Sequence, residues 1–105
     1  MPIVESNDED LRQLIFEKDK VIVKFVDEAC AVCRQLAPSF AKFAASPAYR
    51  GITFVQMHAS ENPVSSQEVK LTGTPFFASY RSGTLRECGL VTTEAEIKSL
   101  LDKLK

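Results

Sequence analysis

Two cysteines, Cys30 and Cys33, enclose Ala31 and Val32 in the segment DEACAVCRQLAPSF. Two thiols at this spacing can open and close a disulfide, and they can also supply two of the four ligands of a structural zinc ion. They can equally be two buried side chains that only happen to lie close together. The secondary structure around the two cysteines must therefore be predicted before these three possibilities can be distinguished.

The cysteines follow a predicted strand and open a predicted helix. The segment VIVKFV, residues 21–26, is almost continuously apolar, which is typical of a central strand covered on both faces. Apolar residues then recur at helical spacing, so a helix is predicted to begin at or just after Cys30 and to end near SPAYRG. Pro38 lies inside this helix and is expected to kink it rather than divide it.

A sulfur at the start of a helix is favoured as an anion. The first N–H groups of a helix are unpaired and the positive end of its dipole lies there, so a cysteine at this position has a lowered pKa. The thiolate is the nucleophile in disulfide exchange. We therefore predict that Cys30 attacks a substrate disulfide and that Cys33, one helical turn later, resolves the mixed disulfide.

The rest of the pattern predicts an α/β fold. The other expected elements are a short strand over 3–5, a helix over about 7–18 capped by Ser6 and Glu9, a strand over 52–57, a short helix over 63–71, a β-hairpin turning at Arg81-Ser82-Gly83, and an amphipathic helix beginning at Thr93 with Glu96. Together they predict a mixed sheet of four to five strands with helices on both faces. We expect one domain over residues 1–105.

Composition narrows the class of protein. A chain of 105 residues with 45% hydrophobic and 26% charged residues is typical of a soluble globular domain. Because 13 basic residues face 14 acidic ones, no binding to nucleic acid or to a membrane surface is expected. No signal-peptide pattern is present, so we expect a cytoplasmic protein, in which a close cysteine pair is catalytic or metal-binding rather than a structural disulfide.

Over nearly its full length the chain resembles the thioredoxin family. The resemblance rests on VIVKFVDEACAVC, on Pro38, on GTPFF, which is similar to the family's cis-proline loop, and on RSGTLRECG, which is similar to its terminal hairpin and glycine. It implies the thioredoxin fold and a thiol-disulfide oxidoreductase without metal or cofactor beyond the Cys30–Cys33 disulfide. It also implies a monomer that acts on disulfide-containing protein substrates and is recycled by a thioredoxin reductase or by glutathione.

The same resemblance implies a substrate groove beside the cysteines. Pro75 is expected to follow a cis peptide bond, and the main chain of Thr74 is expected to hydrogen-bond an extended substrate segment. The other residues expected at the groove are Ala29, Ala31, Val32 and Gly89. Cys88 borders the groove in this reading, and we expect a buried structural thiol there, with a regulatory or intermolecular thiol as the alternative.

Three positions depart from the family pattern. Typical thioredoxins have Gly-Pro between the cysteines, a tryptophan before them and a buried carboxylate on the preceding strand, whereas this chain has Ala31-Val32, Ala29 and Lys24. Replacing proline by Val32 adds one N–H facing the thiolate. Slower exchange and a reduction potential less negative than the roughly −270 mV of thioredoxin are expected.

The orientation of Lys24 is open in the sequence. Its ammonium either points toward the cysteines, where it stabilises a thiolate, or it turns outward or pairs with Asp27 or Glu28. Because the family's carboxylate is missing here, deprotonation of Cys33 is expected to depend on water, on Glu28 or on a group of the substrate.

Two other functions stay open. The departures from the family pattern are compatible with a thioredoxin-like module that binds partner proteins while its cysteines react slowly or not at all. One cysteine pair supplies only two of the four ligands of a structural zinc ion, so a zinc site needs a dimer of this chain.

Overall fold

The computed structural model describes residues 3–105, in which five strands form one mixed sheet. The strands are β1 Val4–Glu5, β2 Lys20–Val26, β3 Ile52–His58, β4 Phe76–Arg81 and β5 Thr84–Leu90, in the spatial order β1-β3-β2-β4-β5. Strand β3 is parallel to β1 and β2, whereas β4 is antiparallel to both β2 and β5. This confirms the predicted mixed sheet.

Four α-helices pack on this sheet or join its strands. They are α1 Asp8–Glu17, α2 Ala31–Ala45, α3 Pro63–Glu68 and α4 Glu94–Leu104, and two short 3-10 helices cover Pro47–Tyr49 and Ala59–Glu61. Helix α2 runs through Pro38 without interruption, as predicted for one helix rather than two. None of the helices within residues 3–105 has the length and apolar character needed to cross a membrane.

The sheet has an apolar core on each face, as predicted from the continuous apolar run of β2. Ile22 packs with residues of α2 and α4, such as Phe40 and Leu101, on one face. Val21, Val23 and Phe25 point to the other face, where Leu11 of α1 packs. Side chains alternate along a strand, so Lys24 shares the face of Ile22 and lies under α2. This places a lysine within the core beneath the cysteine helix.

The first helix begins one residue later than its sequence pattern suggests. Asn7 is the N-cap, and its side-chain oxygen accepts from the Asp10 N–H at 2.8 Å. The predicted cap at Ser6 is wrong, because Ser6 and Asn7 are both good caps and the chain uses the one that continues directly into the acidic first turn. The capping box of α4 is confirmed, with Thr93 and Glu96 bonded to each other's main chain.

The predicted hairpin turns at Ser82 and Gly83, which have φ angles of 52° and 82°. Positive φ at both central residues is the type I′ pattern whose twist matches a two-residue β-hairpin. The Phe16 ring lies over this turn, and a Cβ placed on Gly83 would be 2.9 Å from two of its carbons. Glycine is therefore favoured at position 83 by its positive φ, and a larger residue there would also force the largely exposed Phe16 ring to move.

Replacing Gly83 by alanine tests this requirement. We expect Gly83→Ala to reduce the free energy of unfolding by about 1 kcal/mol or more, because the side chain is strained at positive φ and meets Phe16. Chemical denaturation measures the loss. Gly51→Ala is the matched control, since apart from its chain neighbours no atom of the described residues lies within 4 Å of its Cβ position. Equal losses in the two variants would contradict the account of the turn.

Candidate active site

The predicted site residues meet at one edge of the sheet. Phe25 near the end of β2 pairs with Phe76 at the start of β4, and Phe76 pairs with Leu90 at the end of β5. The loop that leads from β2 to Cys30, the loop that leads to β4, and the last residues of β5 therefore lie side by side. The residues brought to this edge are Ala29, Cys30, Ala31, Val32, Cys33, Thr74, Pro75 and Gly89.

Cys30 and Cys33 form a disulfide across the first turn of α2, with their Cα atoms 5.2 Å apart. Cys30 is the N-cap of the helix in an extended conformation, and its Sγ accepts from the Cys33 N–H at 3.0 Å. Cys30 is 9% exposed and Cys33 4% exposed, and both pack with Val26 and Val32. Cys30 is thus the more exposed residue of the pair, and it lies where a helix start favours negative charge.

The loop before the helix presents small side chains to solvent. The Cys30 N–H donates to the Asp27 carbonyl at 3.1 Å, which closes a turn, and Ala29 and Ala31 are exposed. Arg34 donates to the Glu28 carbonyl at 3.4 Å, so Glu28 contacts the helix through its main chain while its side chain is in solvent. The surface next to Cys30 therefore carries small, exposed side chains.

The loop opposite the cysteines contains the expected cis peptide bond, between Thr74 and Pro75. Pro75 is buried and its carbonyl accepts from the Val91 N–H at 3.1 Å, which ties the loop to the chain after β5. Thr74 and Gly89 are half-buried at the edge of this loop.

An exposed leucine at this edge was not among the predicted site residues. Leu90 is 50% exposed, and its side chain lies 3.4 Å from the position that a Cβ on Gly73 would take. The signal in the sequence was an apolar residue directly after Gly89 at the end of the hairpin. Leu90 adds an apolar patch to a surface that otherwise consists of main chain and small residues.

Lys24 points inward, toward the cysteines, and so resolves the orientation that the sequence left open. It is 1% exposed, its Nζ donates to the Cys33 carbonyl at 3.2 Å, and the same atom lies 5.5 Å from the centre of the Phe40 ring. Within residues 3–105 Lys24 forms no salt bridge. The ammonium is therefore held by one carbonyl and one aromatic face.

Burial lowers the pKa of Lys24 below its ordinary value of 10.5, because the core solvates the ammonium less well than water does. The unfolded chain then holds more protons than the folded protein between these two pKa values, so stability rises with pH through that window. Below the window the full penalty of burying the charge is present. A neutral side chain of similar length removes that penalty.

Lys24→Met is accordingly expected to stabilise the oxidised protein at pH 7 by about 1 to 4 kcal/mol, the range seen when buried ionic groups are replaced by apolar ones. Denaturation at pH 7 and again near pH 10 measures the difference, which should shrink at the higher pH. Lys98→Met is the control, because Lys98 is exposed and bonded to Asp102 at 2.9 Å, so its loss should slightly destabilise. A Lys24→Met protein that is less stable than the native one at pH 7 would contradict the account.

Cys88 is exposed and belongs to no disulfide, so the expectation of a buried thiol is wrong. Cys88 lies on the edge strand β5, most of whose residues are exposed to solvent. Its Sγ is 3.5 Å from the Val69 carbonyl oxygen. Nearby Tyr80 has its pKa raised to about 12, mainly by burial and further by Glu68 and Cys88, so its hydroxyl stays protonated near neutral pH.

Comparison with known proteins agrees with this geometry. The family model described as Thioredoxin matches residues 2–105. Thioredoxin 1 of Plasmodium falciparum is 26% identical over 90 residues, which are 86% of this chain and 85% of that protein. Mitochondrial thioredoxin-3 of Saccharomyces cerevisiae is 29% identical over 80 residues, 76% of this chain and 61% of that protein.

Solved structures agree in fold. The structure of Plasmodium falciparum thioredoxin matches with a TM-score of 0.89 at 21% identity, covering 98% of this chain and 100% of that one. At this level of identity the match shows the fold, which confirms the predicted architecture.

Proposed function

Because this chain belongs to the thioredoxin family, we propose that it is a thiol-disulfide oxidoreductase that reduces disulfides in proteins. The observation that carries the proposal is the Cys30–Cys33 disulfide at the start of α2, where the Cys30 sulfur accepts a main-chain N–H. This arrangement favours a thiolate in the reduced protein, and the thiolate is the reactive form in disulfide exchange.

The reaction begins from the reduced pair. The Cys30 thiolate attacks one sulfur of a substrate disulfide, so a Cys30–substrate disulfide forms, the substrate S–S bond breaks, and the departing sulfur takes a proton from solvent. Cys33 then loses its proton and attacks the Cys30 sulfur, which releases the second substrate thiol. Two electrons have moved to the substrate, and the protein carries the Cys30–Cys33 disulfide that this structure contains.

The surface around Cys30 is proposed to hold an extended substrate segment. The Thr74 main chain is available beside Pro75 for hydrogen bonds to that segment, and the exposed Leu90 side chain offers an apolar contact. Ala29, Ala31, Val32 and Gly89 complete the surface. Small side chains here let a substrate backbone approach the buried sulfur closely.

Recycling is proposed to use an external reductant, either a thioredoxin reductase or glutathione, which returns two electrons to the disulfide. We further propose that residues 1–105 act as a single domain, as a monomer and in the cytoplasm.

The activity is tested with insulin and a chemical reductant. The native protein should speed insulin reduction well beyond the reductant alone, and Cys30→Ser should abolish the acceleration because the attacking sulfur is lost. Cys33→Ser should instead trap a covalent complex between Cys30 and the substrate, seen by mass spectrometry. If the native protein does not exceed the reductant, the alternative of a binding module with silent cysteines is favoured.

The reduction potential is expected to be less negative than the roughly −270 mV of thioredoxin, because both Lys24 and the added Val32 N–H stabilise the reduced form. Equilibration with glutathione of known redox ratio at pH 7 measures it. Lys24→Met should shift the potential to a more negative value, whereas Lys98→Met should leave it unchanged. A native potential at or below the thioredoxin value would contradict this prediction.

A further inference from the structure

Lys24 has no anionic partner within residues 3–105 of the oxidised protein. Its Nζ contacts the carbonyl of Cys33, and the N–H of the same residue contacts the Cys30 sulfur. In the oxidised protein neither sulfur carries charge, so the buried ammonium is met only by a carbonyl dipole and the Phe40 ring. Reduction of the disulfide brings negative charge to the sulfurs of Cys30 and Cys33, the two residues that these contacts link to Lys24.

The charged side chains of the neighbouring strands and of the loop before α2 do not pair with Lys24. On the neighbouring strands the residues level with Lys24 are Gln56 of β3 and Phe77 of β4, which carry no charge. Further along this face His58 lies 3.7 Å from Glu5, and both are largely exposed. On the loop before α2 the side chains of Asp27 and Glu28 are also in solvent. The titratable groups that face Lys24 from α2 are therefore the two cysteines.

We propose that Lys24 is a redox-linked proton site, which binds its proton more tightly when Cys30 and Cys33 are reduced than when they form the disulfide. Burial favours the neutral amine in the oxidised protein, in which the pKa of Lys24 is lowered. An opposite charge within about 4–6 Å of an ammonium favours the charged form by roughly 1 to 3 pH units. The two effects act on the same buried Nζ, and only the second depends on the redox state.

Reduction of the protein between the two pKa values of Lys24 takes up two electrons and two protons. A dithiol or phosphine reductant supplies two electrons, which break the Cys30–Cys33 bond. With Cys30 left as thiolate, one solvent proton goes to the Cys33 sulfur. Between the two pKa values of Lys24, a second solvent proton goes to its Nζ. Oxidation returns both protons to solvent, so the redox poise of the pair depends on pH through Lys24.

This proposal deepens the proposed function, but it requires only that a chemical reductant open the disulfide. The redox-linked protonation of Lys24 can therefore be absent in a protein that does exchange disulfides with substrates. It can also be present in a protein that only binds its partners.

The test is a pH titration of the lysine side chains by NMR, using protein labelled at lysine with ¹³C and ¹⁵N. The Lys24 signal is assigned by its loss in Lys24→Met, or in Lys24→Gln if the first variant does not fold. The titration is run on the oxidised protein and again after full reduction with a phosphine. We expect the midpoint of Lys24 to be at least one pH unit higher in the reduced protein, a tenfold or greater gain in proton affinity.

Two controls separate this effect from a general change in the protein. Lys98, bonded to Asp102 on α4, should titrate alike in both redox states. In a Cys30→Ser/Cys33→Ser protein the reductant should not move the midpoint of Lys24, because no sulfur anion can form. A Lys24 midpoint that is the same in the oxidised and reduced native protein, or lower in the reduced one, overturns the proposal.

Discussion

The contact between the buried ammonium of Lys24 and the Cys33 carbonyl is the constraint around which the site is built. Strand β2 is central and covered on both faces, so no orientation of Lys24 reaches solvent from the middle of the strand. The charge must instead find partners within the core. It finds them in the first turn of α2 and in the Phe40 ring, which ties the strand, the helix and the cysteines into one unit.

That unit also explains why the reactive sulfur lies where it does. The sheet ends at the same edge in β2, β4 and β5, so the cysteine loop, the Pro75 loop and Gly89 converge without any long connection. Cys30 caps α2 and is the more exposed residue of the pair. The N-terminus of α2 and the ammonium of Lys24 on β2 both favour negative charge on the cysteine pair. Lys24, one of the departures from the usual family motif, is therefore proposed to favour the reduced form.

Most of the framework was predictable because its signals are local. The apolar run of β2, the capping box at Thr93 and the Ser82-Gly83 turn each depend on a few neighbouring residues. The cis bond before Pro75 came only from the family resemblance, because composition and spacing carry no signal for it. The mixed sheet with helices on both faces followed from the order of these elements, whereas the thioredoxin fold came from the family resemblance.

The failures have equally physical causes. Ser6 and Asn7 are adjacent residues of similar capping strength, so their order could not be decided without the tertiary contacts. Cys88 was expected inside because cysteines usually are, but an edge strand leaves it exposed. The orientation of Lys24 stayed open because a lysine stem can run along apolar surface to reach solvent, and only the packing on both faces of β2 excludes that path.

The central claim is that the cysteine pair and Lys24 share one redox and proton equilibrium. The most direct measurement is the equilibrium constant with glutathione for the native protein and for Lys24→Met, determined from pH 6 to pH 10. The preference of the native protein for the reduced form, relative to Lys24→Met, is predicted to decline as pH rises, by up to tenfold per pH unit, or about 30 mV, while Lys24 titrates. A ratio between the two proteins that does not change with pH would contradict the account.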